Sequence, residues 1–357
     1  MIYFTAGPTQ TYPTLRQHLV KAADEHIGSI SHRSKEFKRI YEETVLYLRQ
    51  LLNLPIGHEI FFLSSATECW ERIIENCVAE SSHHLVSGAF GAKFYDTAAA
   101  LNKKPLQSRV PEGEGFDVDQ IMIAPETELI AVTQNESASG VAMAPEDIDR
   151  LAEKYPDKLI AVDCVSSLPY VDLNYARLDA VYVSVQKGFG LPAGLAIMIV
   201  SPRAIEKSKL LQKQGYYTGG YRDFSSMQTY GRDFQTFETP NVFNIYLLNC
   251  VLKDMLRLGI KIIRDETLQK HTELENFISA YSKFSYFVKD PLARSKTVNV
   301  INVDGGSAAL IATLRKKGFE IGSGYGKHKD AVVRITNFPA HSMDDMRQLI
   351  TAIRQVL

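Results

Sequence analysis

The sequence predicts an α/β fold in which a mainly parallel sheet is covered by helices and a smaller α+β domain follows. Short, continuous apolar runs alternate with helical segments through the middle of the chain, which is typical of strands buried on both faces of a sheet. The C-terminal part instead mixes fewer strands with longer helices. With 357 residues, 45% of them hydrophobic, the chain is long enough for two domains. We predict an N-terminal arm (1–15), a large domain (16–245) and a small domain (246–357).

The large-domain elements follow from the spacing of apolar residues. Apolar side chains recur at helical intervals over residues 36–53, and Pro145–Lys154 is a second predicted helix with proline near its start. The predicted strands of this domain are Glu59–Leu63, Leu129–Thr133 and residues 159–162, 180–185 and 195–200.

The small-domain elements are predicted in the same way. They are a helix at Val242–Leu258, a strand at 297–303, a helix at 308–317, a strand at Val332–Thr336 and a last helix. The last helix has Ser342 as its N-cap and Asp345 three residues later, and Met346, Leu349, Ile350 and Ile353 share one face.

Composition argues against several classes of protein. The 40 basic and 41 acidic side chains leave a net charge of −1, so we expect no nucleic-acid partner. No apolar run approaches the roughly 20 residues that span a bilayer, and no signal peptide is evident. The four cysteines lack CxxC spacing and the histidines lack metal-site spacing, so we expect no metal. Reduced thiols favour a cytoplasmic location.

Ligands of open α/β sheets bind beyond the carboxyl ends of the strands, where two polar features stand out. Residues 64–67, Ser-Ser-Ala-Thr, lie between a predicted strand and helix, where small residues and free amides suit an anion. Taken alone, they are more typical of an ordinary N-cap. Asp163 directly follows a buried strand and can hold a protonated heterocycle or cap the next turn.

Two more segments lie at the same predicted edge. Lys187 follows a strand and enters a loop rich in Gly and Pro, and a lysine near a core can act as an amine nucleophile or base. Residues 135–140, Asn-Glu-Ser-Ala-Ser-Gly, supply hydroxyls or form a simple loop. Taken in order, an anion site, a hydroxyl loop, a carboxylate and an amine predict a site for pyridoxal 5'-phosphate (PLP).

Two segments outside these strands carry a family resemblance. Residues 4–8 read Phe-Thr-Ala-Gly-Pro, like an N-terminal strand ending in Gly-Pro, and residues 31–37, SHRSKEF, closely resemble the substrate loop SHRGKEF. With the features above, the chain resembles the class V aminotransferases of the type I PLP fold over almost its whole length. Within them it is most similar to the phosphoserine aminotransferases.

The resemblance implies a role for each site residue. Lys187 would carry PLP as a Schiff base and Asp163 would pair with its pyridinium nitrogen. The other implied cofactor contacts are Ala66, Thr67 and Gln186 at the phosphate, Phe90 against the ring, Ser137 near the phenolic oxygen and Thr239 at the phosphate of a neighbouring subunit. Arg334 would bind the substrate carboxylate, while His32 and Arg33, from the partner of a homodimer, would read its distal acidic group.

The implied reaction is transamination between an amino acid and a 2-oxo acid, namely O-phosphoserine with 2-oxoglutarate, in serine biosynthesis. The sequence departs in three places from the pattern of the phosphoserine aminotransferases, and these differences affect which substrate is expected. No arginine follows residues 64–67, Phe90 stands in place of tryptophan, and Glu238 replaces an asparagine. The basic residues 327–329 either compensate for the missing arginine or form a solvated turn.

Other functions remain open at this stage. A class V transaminase for a small amino acid, of the alanine or serine–glyoxylate type, would not need Arg33. A PLP lyase of the desulfurase type needs a later nucleophilic cysteine, whereas the last one, Cys250, lies in an apolar helical pattern. A dinucleotide-binding or non-catalytic α/β protein is disfavoured because no GxGxxG follows the first clear strand.

Overall fold

The computed structural model describes residues 1–356, and Leu357, the last residue of the predicted small domain, lies outside the described residues. The strands are β1 (Ile2–Phe4), β2 (Glu59–Leu63), β3 (Ser82–Val86), β4 (Leu106–Arg109), β5 (Leu129–Thr133), β6 (Asn135–Glu136), β7 (Val141–Ala142), β8 (Leu159–Asp163), β9 (Ala180–Ser184), β10 (Ala196–Val200), β11 (Phe284–Tyr286), β12 (Val298–Val303), β13 (Phe319–Ser323) and β14 (Val332–Thr336). The helices are α1 (Leu15–Asp24), α2 (Lys35–Leu52), α3 (Ala66–Cys77), α4 (Ala89–Ala100), α5 (Pro145–Lys154), α6 (Pro202–Lys213), α7 (Phe224–Arg232), α8 (Val242–Leu258), α9 (Ile260–Ser279), α10 (Ala308–Lys316) and α11 (Met343–Arg354).

A seven-stranded sheet forms the centre of the fold, in the order β2-β10-β9-β8-β5-β3-β4. The pairs from β9 through β4 are parallel, and β10 runs antiparallel to both of its neighbours. Every residue of β5, β8 and β9 is buried, as expected for strands covered on both faces. The predicted mainly parallel α/β sheet is therefore confirmed.

The helices begin where the sequence offers capping side chains. Ser34 caps α2 by accepting a hydrogen bond from the amide of Phe37, and α2 ends at Asn53 in the left-handed conformation. Its buried face packs on α8. No helix of the described chain is both long and apolar enough to cross a membrane.

A second sheet of five strands has the order β1-β13-β14-β12-β11. Strand β1, which belongs to the predicted N-terminal arm, pairs in parallel with β13, so Ile2 lies opposite Phe319. The N-terminal strand is thus joined to strands of the C-terminal part of the chain in one sheet. The division predicted between residues 245 and 246 falls within α8 and stays a prediction.

Most elements predicted from periodicity end within one or two residues of the observed bounds. The elements without a predicted counterpart include β3, β4, α4, α9 and β13. Strand β4 is four residues long and largely exposed, so it has no apolar run to reveal it.

The predicted cap of α11 is present as a complete capping box. Ser342 Oγ accepts the Asp345 amide, and the Asp345 carboxylate accepts the Ser342 amide. We expect Ser342→Ala to lower the free energy of unfolding by about 1 kcal/mol, because helix amides lose their acceptor. Urea titration measures the change. Thr351→Ala, on the exposed face of the same helix, is the control and should cause no loss.

Candidate active site

A cavity of about 480 Å³ lies at the carboxyl edge of the large sheet, between it and the second sheet. Residues after β5, β8 and β9 form one wall, and residues of β13 and β14 form the other. The predicted site residues found in its lining are Ala66, Thr67, Phe90, Ser137, Asp163, Gln186, Lys187 and Arg334. Residues spread over more than two hundred positions of sequence therefore meet in one cavity.

Asp163 is the last residue of β8 and is only 5% exposed. Its Oδ1 accepts a hydrogen bond of 2.9 Å from the amide of Val165, which fixes the carboxylate. Burial raises the pKa of Asp163 to about 6, while the Val165 amide and the nearby Lys187 act in the opposite direction. The side chain can therefore offer a fixed anion to a cationic ring nitrogen.

Lys187 lies three residues beyond β9, with its Nζ 5.5 Å from the centroid of the Phe90 ring. Burial lowers the pKa of Lys187 to about 8, although the Asp163 carboxylate opposes this shift. Gly7 packs directly on the lysine, since a Cβ at that position would lie 2.8 Å from Lys187 Cε. A buried amine that deprotonates this readily is suited to nucleophilic and base chemistry.

The N-terminus of α3 forms one end of the cavity. Ser65 Oγ accepts the amide of Glu68 at 3.2 Å, and the amide of Ala66 donates to Ser184 Oγ at 3.2 Å. The first amides of a helix lack intrahelical acceptors, and the helix dipole favours an anion there. The predicted N-cap is therefore present, and the anion site at the same helix end stays a prediction.

Phe90, in the first turn of α4, is held by a buried carboxylate that sequence reasoning missed. Glu136 Oε2 accepts the amides of Phe90 at 2.8 Å and Gly91 at 3.1 Å. Gly88 leaves room for it, because a Cβ there would lie 2.4 Å from Glu136 Cγ. Burial raises the pKa of Glu136, while the amides it accepts oppose the rise. The segment 135–140 thus orients Phe90 as well as supplying Ser137.

Arg334 projects from β14 into the other side of the cavity. Its Nε donates to the carbonyl of Ser323 at 2.8 Å, and its Nη1 donates to the carbonyl of Ser137 at 3.2 Å. The guanidinium lies 5.7 Å from the ring centroid of Tyr325, whose hydroxyl accepts a hydrogen bond from Lys93. Tyr325 was not predicted, because it lies in a loop without strand or helix periodicity.

His32, Arg33 and Thr239 do not line the cavity of their own chain. Arg33 instead donates to the carbonyls of Thr236 and Phe237, at 2.7 and 2.9 Å, and to Gln235 Oε1 at 2.6 Å. The predicted substrate arginine therefore holds the segment that leads to Thr239, which is exposed.

The Glu238 carboxylate, which departs from the family pattern, faces Arg222 at 3.2 Å. Arg222 also pairs with Glu68 in the first turn of α3. The segment around Arg222 thus connects the helix N-terminus at the cavity with the segment next to Thr239. The carboxylate of Glu238 is therefore paired with a cation of its own chain.

The basic residues 327–329 do not place a cation in the cavity lining. Lys327 Nζ lies 3.3 Å from Glu112 Oε2, and His328 pairs with the same carboxylate. The cations that line the cavity are Lys187 and Arg334, and Glu320 adds a carboxylate to the wall.

Comparison with known proteins places this arrangement in context. The family model for class-V aminotransferases matches residues 1–342. A crystal structure of a phosphoserine aminotransferase from Cytophaga hutchinsonii is 43% identical, with a TM-score of 0.98, and covers 99% of this chain and 98% of that one. The phosphoserine aminotransferase of Rhodococcus opacus is 28% identical over 99% of this chain and 94% of its own length. An aspartate aminotransferase from Thermus thermophilus, 19% identical, shares the fold with a TM-score of 0.86 over 100% of this chain and 99% of its own.

We expect Asp163→Asn to lower the pKa of Lys187 further. The carboxylate raises that pKa, so its removal leaves burial less opposed, and the amine becomes reactive at lower pH. Modification of Lys187 by trinitrobenzenesulfonate in the cofactor-free chain, followed by mass spectrometry across a pH series, measures the shift. Asp172→Asn, an exposed carboxylate outside this cavity, should leave the profile unchanged. An unchanged profile in Asp163→Asn would contradict the electrostatic coupling.

Proposed function

Because the chain belongs to the class V aminotransferase family, we propose that it transfers the amino group of O-phosphoserine to 2-oxoglutarate. The chain is a PLP-dependent aminotransferase with the α/β fold of that family. The observation that carries the choice of substrate is the similarity over 99% of the chain to a structure named phosphoserine aminotransferase, with a TM-score of 0.98. The products would be 3-phosphohydroxypyruvate and glutamate, and the reaction would serve serine biosynthesis.

The residues of the cavity fit PLP. Asp163 supplies a buried carboxylate for the ring nitrogen, and Lys187 supplies an amine of lowered pKa. Gln186 also lines the cavity, and its carboxamide carries N–H donors that can bind an anion. The first turn of α3 suits a phosphate.

The proposed cofactor contacts follow from these positions. Ala66, Thr67 and Gln186 would bind the phosphate. Phe90 would pack on the ring, with its orientation fixed through Glu136, and Ser137 would lie near the phenolic oxygen. Thr239 of a second copy would complete the phosphate site.

When bound, PLP supplies an aldehyde carbon that condenses with amines and a ring that accepts electrons. Lys187 would hold the cofactor through its amine and would also take up and return the proton at the substrate Cα. Asp163 would keep a proton on the ring nitrogen. Arg334 would bind the α-carboxylate, since its planar guanidinium suits paired oxygens.

The distal phosphate of the substrate needs cations beyond those in the lining. We propose that His32 and Arg33 of a second copy provide them, which makes the working unit a homodimer. The positions of Arg33 and Thr239 outside their own cavity support this arrangement.

The thiols of Cys69, Cys77, Cys164 and Cys250 are free, which supports a cytoplasmic location.

A second candidate is transamination of a small, uncharged amino acid. It is favoured by the sparse positive charge of the cavity, whose lining contains the cations Lys187 and Arg334 but also the carboxylates of Asp163 and Glu320. An uncharged side chain would need no further cation. The two candidate reactions share all the PLP chemistry and differ only in the distal group of the substrate side chain.

The substrate is tested by half-reactions of the PLP-loaded protein with O-phospho-L-serine, L-glutamate or L-alanine. We expect the visible band of the bound cofactor to be lost rapidly with the two acidic amino acids, because both place an anion at the distal position. Stopped-flow absorbance measures the rates. A response to L-alanine with O-phospho-L-serine inert would keep the chemistry and reject the proposed substrate.

We expect Arg33→Met to reduce kcat/KM for O-phospho-L-serine at least tenfold and to change the slow reaction of L-serine little. L-Serine lacks the phosphate, so the loss of a phosphate contact lowers kcat/KM for O-phospho-L-serine and not for L-serine. A tenfold change corresponds to about 1.4 kcal/mol. Steady-state kinetics with both substrates measures the difference.

The matched control is Lys35→Met, an exposed cation of the same segment whose side chain makes no hydrogen bond or ion pair with the described residues. Since Arg33 also holds residues 235–237, its loss can disturb the site as a whole. An equal fall for both substrates would mean that Arg33 only orders this segment and does not read the phosphate.

A further inference from the structure

A second cavity, of about 370 Å³, lies behind the active-site cavity and shares Asn135 with it. Its wall on the large-sheet side comes from residues 142–145 and 167–172, and its opposite wall comes from α9 and residues 292–297. The proposed transamination uses none of the residues in these walls, so the cavity has no assigned role.

Two buried polar side chains of this lining have unfilled hydrogen-bonding capacity. Gln134 is 5% exposed, and its Nε2 donates to the carbonyl of Met143 at 2.9 Å, which leaves Oε1 without a partner in the described chain. Ser167 is 3% exposed, and its Oγ has no conventional partner there beyond a weak contact with the Cys164 thiol. Leaving such atoms unpaired is costly, so a ligand that pairs with them gains affinity.

The lining also contains three cations, of which Lys296 lacks a carboxylate partner. Arg294 pairs with Glu275 at 2.8 Å, and Arg264 pairs with Asp172 at 2.7 Å, although Arg264 Nε is buried and unpartnered in the described chain. Lys296 Nζ lies 3.3 Å from His271 Nε2 and 3.5 Å from a backbone carbonyl, and no carboxylate of the described residues lies within ion-pair distance of it. Asp265 also lines the cavity, where it is paired with Lys261.

The rest of the lining is mostly apolar. The apolar side chains include Met143, Tyr170, Val171, Leu268 and Leu292. Leu268 is 46% exposed and Leu292 is 88% exposed, so both place apolar surface against solvent. Exposed apolar surface that continues into a cavity with a few convergent polar groups is typical of a small-molecule site.

We infer that this cavity binds a small carboxylate that also carries a hydroxyl or amino donor and an apolar side chain. The carboxylate pairs with Lys296 and accepts from Arg264 Nε and the Ser167 hydroxyl. The hydroxyl or amino group of the ligand donates a hydrogen bond to Gln134 Oε1. The apolar side chain of the ligand packs on Leu268 and Leu292. This site is distinct from the one that performs transamination.

The test is isothermal titration calorimetry of the PLP-loaded protein with (S)-3-phenyllactate, which has no amino group to transfer. We expect saturable binding of one molecule per chain. Lys296→Met should weaken binding at least tenfold, because the carboxylate loses its unpaired cation. Gln134→Leu should weaken phenyllactate binding but leave the binding of 3-phenylpropionate, which lacks the hydroxyl, unchanged.

The controls separate this site from the active-site cavity and from misfolding. Lys283→Met, at an exposed position away from the cavity, should bind as the parent does. Arg334→Gln should also bind as the parent does, since Arg334 lines the other cavity. Each variant is first checked for one bound PLP per chain and for an unchanged thermal midpoint.

Three outcomes would overturn the inference. These are the absence of saturable binding at millimolar phenyllactate, equal affinity of the parent and Lys296→Met, and loss of binding in Arg334→Gln alone. The last result would place the probe in the active-site cavity. Failure of the half-reactions would leave this test intact, because the titration measures binding without transfer of an amino group.

Discussion

Asp163 and Lys187 are both buried, and each charge opposes the effect of burial on the other. Burial raises the pKa of Asp163 to about 6 and lowers that of Lys187 to about 8. An isolated charge in such a place would be expensive, so each side chain depends on the opposite charge of the other across the active-site cavity. The surrounding fold has to gather the two groups at one edge of the sheet.

Parallel pairing in the large sheet places both groups at that edge. Thr133 at the end of β5 lies opposite Asp163, and Asp163 lies opposite Tyr182 in β9. Since parallel strands end at one edge, the residues that follow them are gathered there. The second sheet completes the cavity, because β1 pairs with β13 and leads to Gly7, which packs on Lys187. The N-terminal strand thus brings the β13–β14 side of the cavity, with Arg334, against the lysine.

The sequence predicted the parts whose signal is local. Apolar spacing revealed α8 and β14, and the cap of α11 was visible in Ser342 and Asp345. The contacts between distant segments were not visible, because periodicity shows which face is buried and not what it meets. Glu136 holds the amide of Phe90 from 46 residues away, and Arg334 donates to Ser137 across 197 residues. The resemblance to a family proposed residues for the site but did not reveal Glu136 or Tyr325.

Arg33 orders its own chain, and in the proposed function it would also bind an anion at a second copy. A guanidinium has five N–H donors. Both donors of Nη1 are used by Gln235 and Thr236, and one donor of Nη2 is used by Phe237. The Nε donor makes no hydrogen bond to the described residues, and one Nη2 donor remains. These donors can bind oxygens of a phosphate or carboxylate, and the three existing bonds reduce the conformational entropy lost on binding. In the proposed homodimer, a second copy of the chain would gain from them a rigid cation at the distal end of its cavity, where its own lining has none.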